Sequence, residues 1–193
     1  MSLTNNDIFD LSKHLVLDIE TFGVNKGAAI ASIGAVCGDA SFYVVVAPFC
    51  GECEEDTEAW WESKAVSDEA RAEIFKTPLR QCRCTEDALR DFLAFIEMAK
   101  PNYFWGNSPE FDFWHVEYWL RAFNLDVPWD YWQLRDIRTI KDFVDKEVRE
   151  EIKAKYTPHI AIEDAKAERD ILQAFLISAD PAGKGRDWSY WHK

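Results

Sequence analysis

The sequence predicts an α/β protein in which helices cover the faces of a mixed five-stranded sheet. Three β-rich segments follow one another near the start of the chain, which is typical of an antiparallel meander. Two further apolar segments then alternate with helical stretches, and this alternation extends the sheet. Of the 193 residues, 48% are apolar, which is enough for a packed core. We therefore expect one domain, with its core at about 13–178 and a C-terminal tail at about 179–193.

The meander begins with residues 14–19, HLVLDI, an apolar strand that ends in acids. Residues 28–37 and 40–47 are the next two β-rich runs. Gly38-Asp39 forms the turn between them, because glycine and aspartate suit tight hairpins. Two later apolar segments complete the sheet, at residues 103–105 and 131–134.

Helices are predicted from apolar residues three and four apart and from capping residues. A polar, helix-prone stretch spans residues 57–75. Thr85 is expected to cap the next helix, whose apolar face holds Leu89, Phe92, Leu93 and Ile96. Ser108 is expected to cap another that starts with Pro109, and its aromatic stripe holds Phe111, Trp114, Tyr118 and Trp119. The last two helices are predicted at residues 137–148 and 161–177.

The chain is strongly acidic, with 35 Asp and Glu against 22 Lys and Arg and a net charge of −13. Proteins that hold nucleic acid mainly through its phosphates need Lys and Arg, so this balance argues against that class. It is compatible with an enzyme whose metal ions supply local positive charge. The absence of a Walker loop, of GxSxG and of GxGxxG at a strand–helix turn leaves ATPase, esterase and dinucleotide-binding functions without support.

No apolar run reaches the roughly 18 residues of a membrane span. The first ten residues also lack the basic start and apolar stretch of a signal peptide. We therefore expect no membrane association and a cytoplasmic location.

Five cysteines are present, including a CxxC at Cys50 and Cys53 and a CxC at Cys82 and Cys84. These pairs form either a zinc or redox site or a set of reduced thiols. Structural zinc sites usually use two CxxC-like pairs, so the CxC favours reduced thiols. Cys37, in an apolar segment, is expected in the core.

Three groups of residues could carry chemistry. Asp18 and Glu20 are two apart, so they lie on the same side of a strand. Asp112 lies in the first turn of the aromatic-rich helix, while His159 and Asp164 flank the start of the last one. Taken singly, each group has an ordinary explanation: solvated acids at a strand end, an acid favoured at a helix N-terminus, and a capping or exposed histidine.

Taken together, these residues point to metal-dependent hydrolysis. Carboxylate oxygens are the ligands that Mg²⁺ and Mn²⁺ prefer. Two such ions, about 4 Å apart, activate a water and stabilise the leaving 3′ oxygen of a phosphodiester. A histidine on a loop after Pro158 is free to move and exchange protons, as a general base must.

These residues resemble the motifs of the DnaQ-like 3′→5′ exonucleases of the DEDDh subclass. The matching segments are LVLDIETFG at 15–23, WGNSPEFD at 105–112 and HIAIED at 159–164. The tyrosine-type subclass would have Tyr at the position of His159. Two more segments, TEAWWESKAVSDEAR at 57–71 and YWQLRDIRTI at 131–140, resemble a small branch with phage exodeoxyribonucleases and prophage or mycobacterial exoribonuclease-like proteins.

The resemblance implies an RNase H-like fold and release of nucleoside monophosphates from the 3′ end of single-stranded DNA or RNA. It implies two Mg²⁺ or Mn²⁺ ions, bridged by Asp18, with the ligands Asp18, Glu20, Asp112 and Asp164. It also implies His159 as the general base that takes a proton from the attacking water.

Further substrate contacts are expected around these motifs. The resemblance implies that Thr21 binds the terminal nucleotide through its backbone and Phe22 by stacking on a base. It also points to a pocket formed by Asn107 and Phe111. Trp61 is a candidate for base stacking, although at least one of the neighbours Trp60 and Trp61 should pack in the core, because adjacent helical residues diverge by about 100°.

Arg135 and Arg138 are three residues apart and near one face if helical. They would hold a phosphate or ribose, or else pair with acids such as Asp136 and Asp142. In the C-terminal tail, basic and aromatic residues would touch nucleic acid or a partner subunit, or pack loosely; they are Lys184, Arg186, Trp188, Tyr190, Trp191, His192 and Lys193. A homodimer is also possible, because the many aromatic residues could form its interface.

Two other functions stay open. One is a catalytically weak nucleic-acid- or partner-binding module on the same fold, and the other is a metal-dependent phosphoesterase for nucleotides or small phosphates. The intact five-residue set argues against the module, because a decayed site should have lost ligands. DNA and RNA stay open as substrates, since that choice depends on contacts to the 2′ hydroxyl.

Overall fold

The computed structural model describes residues 7–179. Within this range the strands are β1 His14–Thr21, β2 Ile30–Cys37, β3 Ala40–Val45, β4 Tyr103–Gly106 and β5 Leu134–Asp136. They form one sheet in the order β3-β2-β1-β4-β5. The first three strands pair antiparallel, whereas β4 runs parallel to β1 and β5 parallel to β4. The mixed five-stranded sheet predicted from the sequence is confirmed.

Helices cover both faces of this sheet. Those with α-helical geometry in the described range are α1 Glu55–Glu62, α2 Asp68–Phe75, α3 Thr85–Ala99, α4 Pro109–Ala122, α5 Ile137–Lys141, α6 Lys146–Lys153 and α7 Ala161–Ala179. One face packs against α3 and α4, through residues such as Phe92 and Phe113. The other packs against α5 and α7, through residues such as Ile137 and Leu172.

The side chains of β1 alternate between these two faces, as a strand requires. Leu15, Leu17 and Ile19 pack in the core with α3 and α4. Val16 packs in the core with α5 and α7. Asp18 and Glu20 continue the row of Val16, so the alternation of β1 directs both acids to the side that carries α7.

Several predicted elements differ in detail. Cys84, not Thr85, is the N-cap residue of α3 and makes no side-chain cap; the Thr85 hydroxyl is buried without a hydrogen-bond partner in residues 7–179. Pro109 does begin α4, but Ser108 makes no side-chain cap. The fifth strand starts at Leu134, because the preceding residues form a 3₁₀ turn.

The single helix predicted at 137–148 is wrong, because α5 ends at Lys141 and α6 starts at Lys146. The chain turns between them so that Val144 and Ile152 both pack with Ile171 of α7. The aromatic stripe of α4 is partly buried: Phe111 and Trp119 pack against the core, whereas Trp114 is 52% exposed. The fully buried residues of α4 include Phe113, Val116 and Leu120. None of the helices described between residues 7 and 179 is long and apolar enough to cross a membrane.

Candidate active site

A cleft of about 420 Å³ opens at the sheet edge where β1 and β4 end. Because these two strands are parallel, their carboxyl ends meet there. The cleft combines residues from β1, the start of α4, α5, α6, the loop before α7, and α7 itself. Its polar lining residues are Asp18, Glu20, Asn107, Ser108, Asp112, Arg138, Lys141, Lys153, His159, Asp164 and Glu168. The structure therefore brings the five predicted catalytic residues into one cleft.

The two acids of β1 are half-buried at the end of their strand. Asp18 lies opposite Gly34 of β2. Gly34 allows α7 to begin directly against the sheet, because a Cβ atom there would lie 2.3 Å from the backbone of Ala161 and Ile162. This close approach brings the first turn of α7, with Asp164, towards Asp18 and Glu20.

Asp112 enters the cleft from the first turn of α4 and is only 5% exposed. Its Oδ1 accepts a hydrogen bond from the backbone N–H of Ile19, 3.4 Å away. Gly106, at the end of β4, leaves room for the carboxylate, because a Cβ atom there would lie 2.9 Å from Oδ2. The short β4–α4 connection thus positions this acid beside β1.

His159, Asp164 and Glu20 form the tightest part of the site. One ligand atom from each lies within 4.8 Å of the others. His159 has φ of +64°, an uncommon conformation for a residue with a side chain. Its backbone N–H donates a 2.7 Å hydrogen bond to Asp164 Oδ2, and its ring meets the ring of Trp60 edge-on at 5.0 Å. These contacts fix the loop before α7.

Burial raises the pKa of the acids in the cleft, and for three of them the charge of a neighbouring carboxylate raises it further. Burial and then the charge of Asp112 raise the pKa of Asp18 well above its usual range. Burial and then Asp164 raise the pKa of Glu20 to about 8. The pKa of Asp112 is also raised strongly, and burial raises that of Asp164. A group of buried, mutually repelling oxygen ligands is the arrangement that divalent cations stabilise, so these residues fit the expected metal ions.

Three charged residues of the cleft escaped the sequence prediction: Lys141, Lys153 and Glu168. Glu168 of α7 is 5% exposed, and burial raises its pKa to about 7. The Lys141 ammonium lies 3.3 Å from Glu168 Oε1 and donates a 2.8 Å hydrogen bond to Asn107 Oδ1. The signal in the sequence was the four-residue spacing from Asp164 to Glu168, which puts both on one face of a helix.

The predicted substrate contacts divide into two sets. Asn107, Phe111 and Arg138 line the cleft, and the Arg138 guanidinium donates to the Asn107 carbonyl at 3.1 Å. Arg135 does not line it. Its guanidinium donates to the carbonyls of Trp132 and Leu134 and lies over the ring of Tyr103. Its contact with a phosphate or ribose stays a prediction.

The residues after the first motif are more buried than predicted. Trp61 is 0% exposed, and its indole N–H donates to the Thr21 carbonyl at 3.0 Å. Phe22 is 5% exposed and packs in the same apolar cluster as Trp61. Neither ring is exposed in this conformation, and base stacking by Trp61 and Phe22 stays a prediction. The Thr21 carbonyl already accepts the hydrogen bond from Trp61. Of the two neighbouring tryptophans, Trp60 is the one with an exposed side chain, at 37%.

All five cysteines are free thiols. None belongs to a group of three metal-ligating atoms within residues 7–179. Cys37 is buried as predicted. The basic and aromatic residues of the predicted tail, 184–193, lie outside the described part of the chain.

A mixed sheet with an acidic cleft at the ends of its parallel strands is an arrangement suited to metal-dependent hydrolysis of phosphodiesters. A family model described as the 3′-5′ exoribonuclease Rv2179c-like domain matches residues 13–176. The chain therefore belongs to the Rv2179c-like exoribonuclease domain family, whose members are hydrolytic enzymes.

The fold also matches a solved nuclease. The crystallographic structure of the nuclease domain of 3′hExo, a DEDDh family member bound to rAMP, aligns with a TM-score of 0.55 and 11% identity. The alignment covers 88% of this chain and 93% of that one, which confirms the predicted RNase H-like fold. No curated protein sequence matches this chain significantly.

Proposed function

We propose that the enzyme removes nucleoside monophosphates one at a time from the 3′ end of single-stranded nucleic acid, with two Mg²⁺ or Mn²⁺ ions as cofactors. The observation that carries this proposal is the meeting of Asp18, Glu20, Asp112 and Asp164 in one cleft. They come from three segments that are distant in the chain. The raised pKa values of these acids support a site whose charge is balanced by cations.

The four carboxylates would hold the metal ions, and the charges of the other three all act on Asp18. When bound, the ions supply a Lewis acid and a water of lowered pKa. The chain's own residues hold these ligands in place: the Ile19 N–H binds Asp112, and the His159 N–H binds Asp164. Removing either acid would leave the remaining carboxylates in place but unable to complete the set.

His159 is the proposed general base. It lies on a loop and is half-buried at the cleft, so its ring reaches both the site and solvent. A ring nitrogen would take the proton of the attacking water and pass it to bulk water afterwards. The left-handed backbone at this residue and the hydrogen bond to Asp164 limit how far the ring moves.

The substrate would enter past Arg138, Asn107 and Phe111, which lie in the wall of the cleft. Arg138 is exposed and suits a phosphate. Because the net charge is −13, contact along the rest of the nucleic acid should be weak and brief. We also infer a cytoplasmic location, since the thiols are unpaired, and a homodimer through exposed aromatic residues such as Tyr131 and Trp132.

One experiment tests the activity and its dependence on metal. End-labelled single-stranded and duplex DNA and RNA are incubated with the enzyme in Mn²⁺ or in EDTA, and the products are resolved by length. The expected result is a ladder shortening from the 3′ end of single strands, in Mn²⁺ only. Asp164→Asn should abolish it, whereas Glu163→Gln, on the same helix and paired with Lys166, should cleave like the wild type.

The other outcomes separate the rival functions. Hydrolysis of mononucleotides or small phosphates without shortening of oligonucleotides would point to a phosphoesterase. Oligonucleotide binding without cleavage, together with no binding of Mn²⁺ in calorimetry, would point to a binding module. Cleavage that continues in EDTA, or in Asp164→Asn with native folding, would overturn the proposed mechanism.

A further inference from the structure

Glu168 is a fifth carboxylate in the cleft, and it belongs to none of the three motifs. It lies on α7 four residues after Asp164, on the same face of the helix. Its side chain is 7% exposed. Burial first, and then charges that include Glu168, raise the pKa of both Asp18 and Asp112. Glu168 therefore lies among the proposed metal ligands, not on a solvated helix face.

Only one oxygen of this carboxylate is satisfied. Oε1 accepts from the Lys141 ammonium at 3.3 Å. Oε2 is buried and has no hydrogen-bond partner among residues 7–179. An unpaired carboxylate oxygen away from water is strongly unfavourable, so an ordinary ion pair with Lys141 does not account for its position. A bound cation would supply the missing partner.

The charges of the cleft are compatible with this conclusion. Five carboxylates line it, against the three cations Arg138, Lys141 and Lys153. The acids therefore remain in excess, and divalent cations would neutralise that excess.

We propose that Glu168 is a further metal ligand, whose Oε2 binds one of the divalent cations of the cleft while Lys141 holds Oε1 in position. This inference rests on the proposed metal-dependent function. It assigns Lys141 a positioning role, since the ammonium is itself fixed by Asn107 Oδ1 at 2.8 Å. The ligand set of this chain then has five carboxylates instead of four.

The test is calorimetric titration of Mn²⁺ into metal-free wild type, Glu168→Gln and the matched control Glu163→Gln. Glutamine keeps the size of the side chain and can still accept from Lys141, but it lacks the charge. Glu168→Gln should weaken Mn²⁺ binding about tenfold or more, in line with losses at metal-site residues. It should also lose most of the rise in melting temperature that saturating Mn²⁺ gives the wild type. Glu163→Gln should match the wild type in both.

A role confined to pairing with Lys141 gives the opposite pattern: Glu168→Gln would be less stable in EDTA and would bind Mn²⁺ as tightly as the wild type. That result would overturn the role of Glu168 and leave the proposed function standing. Absence of Mn²⁺ binding by the wild type would instead remove the proposed function itself. Circular dichroism in EDTA shows that each variant is folded before titration.

Discussion

Gly34 lies opposite Asp18 across the β1–β2 pair. The start of α7 packs into the space that a side chain at Gly34 would occupy. A Cβ atom at Gly34 would lie 2.3 Å from the backbone of Ala161. The first turn of α7 carries Asp164, and the loop just before it carries His159. The distance between the first and third motifs is therefore set by a glycine on a strand that holds no catalytic residue.

Gly34→Ala should damage the site without removing any ligand. The methyl group must push back the start of α7, and such overpacking costs about 1–3 kcal/mol of unfolding free energy. A displacement of about 1 Å at reacting groups can lower a rate about 100-fold, so activity and Mn²⁺ affinity should both fall. Urea unfolding, calorimetry and exonuclease rates measure these effects.

Gly38→Ala provides the control for this substitution. Gly38 lies in the β2–β3 turn with φ of +57°, so alanine there is strained and should also lower stability. It is remote from the cleft, and Mn²⁺ affinity should stay unchanged. If folded Gly34→Ala binds Mn²⁺ and cleaves like the wild type, the close approach is not what positions α7.

The metal-free protein should become less stable as pH rises. The pKa of Glu20 is raised to about 8 and that of Glu168 to about 7, so the folded state binds these protons more tightly than the unfolded chain does. Stability that is present below about pH 4.5 is lost progressively up to about pH 8. We expect the unfolding free energy in EDTA to fall by about 2 kcal/mol or more between pH 5 and pH 8.

Saturating Mn²⁺ should remove this fall, because metal ions bind the deprotonated ligands. Glu20→Gln should flatten the EDTA profile, since it removes one of the groups that must lose a proton. Glu163→Gln, which changes a carboxylate outside the cleft, should keep the slope of the wild type. A stability in EDTA that rises over this range would contradict the raised pKa values.

Local geometry made part of the site predictable from the sequence. Alternation and a Gly-Asp turn are enough to predict the meander, and a spacing of two puts Asp18 and Glu20 on one side of β1. Both inferences use only neighbouring residues. The position of Asp112 beside them follows from parallel strands whose carboxyl ends share an edge, which strand–helix alternation also indicates.

The remaining features depend on packing between distant segments. Glu168 lies in a charged stretch and looks solvated until α5 and Lys141 cover it. Which of Trp60 and Trp61 is buried depends on the rotation of α1 about its axis, which the bond from Trp61 to the Thr21 carbonyl fixes. No proline or glycine in the sequence marks the break between α5 and α6. The break accompanies the packing of Val144 against α7, which the local sequence does not reveal.

His159→Asn distinguishes a general base from a metal ligand. Asparagine tolerates the left-handed backbone that His159 adopts with φ of +64°, so the loop should keep its shape. Loss of a general base should lower kcat about 100- to 10,000-fold and leave Mn²⁺ affinity nearly unchanged. Because Glu20, His159 and Asp164 could together hold an ion, a large fall in Mn²⁺ affinity would show that the histidine is a ligand instead.

Trp60 and Trp61 should respond differently to substitution. Trp61→Ala removes a side chain that is 0% exposed and should lower the unfolding free energy by about 3–5 kcal/mol. Trp60→Ala should lower it much less, since its ring is 37% exposed and lies beside His159. Its ring is available to stack on a base near the 3′ end, an interaction of about 1–3 kcal/mol. We therefore expect Trp60→Ala to raise KM for single-stranded oligonucleotides about tenfold, and Trp60→Phe to restore most of the loss. An unchanged KM combined with a lower kcat would mean that Trp60 supports the histidine and does not touch the substrate.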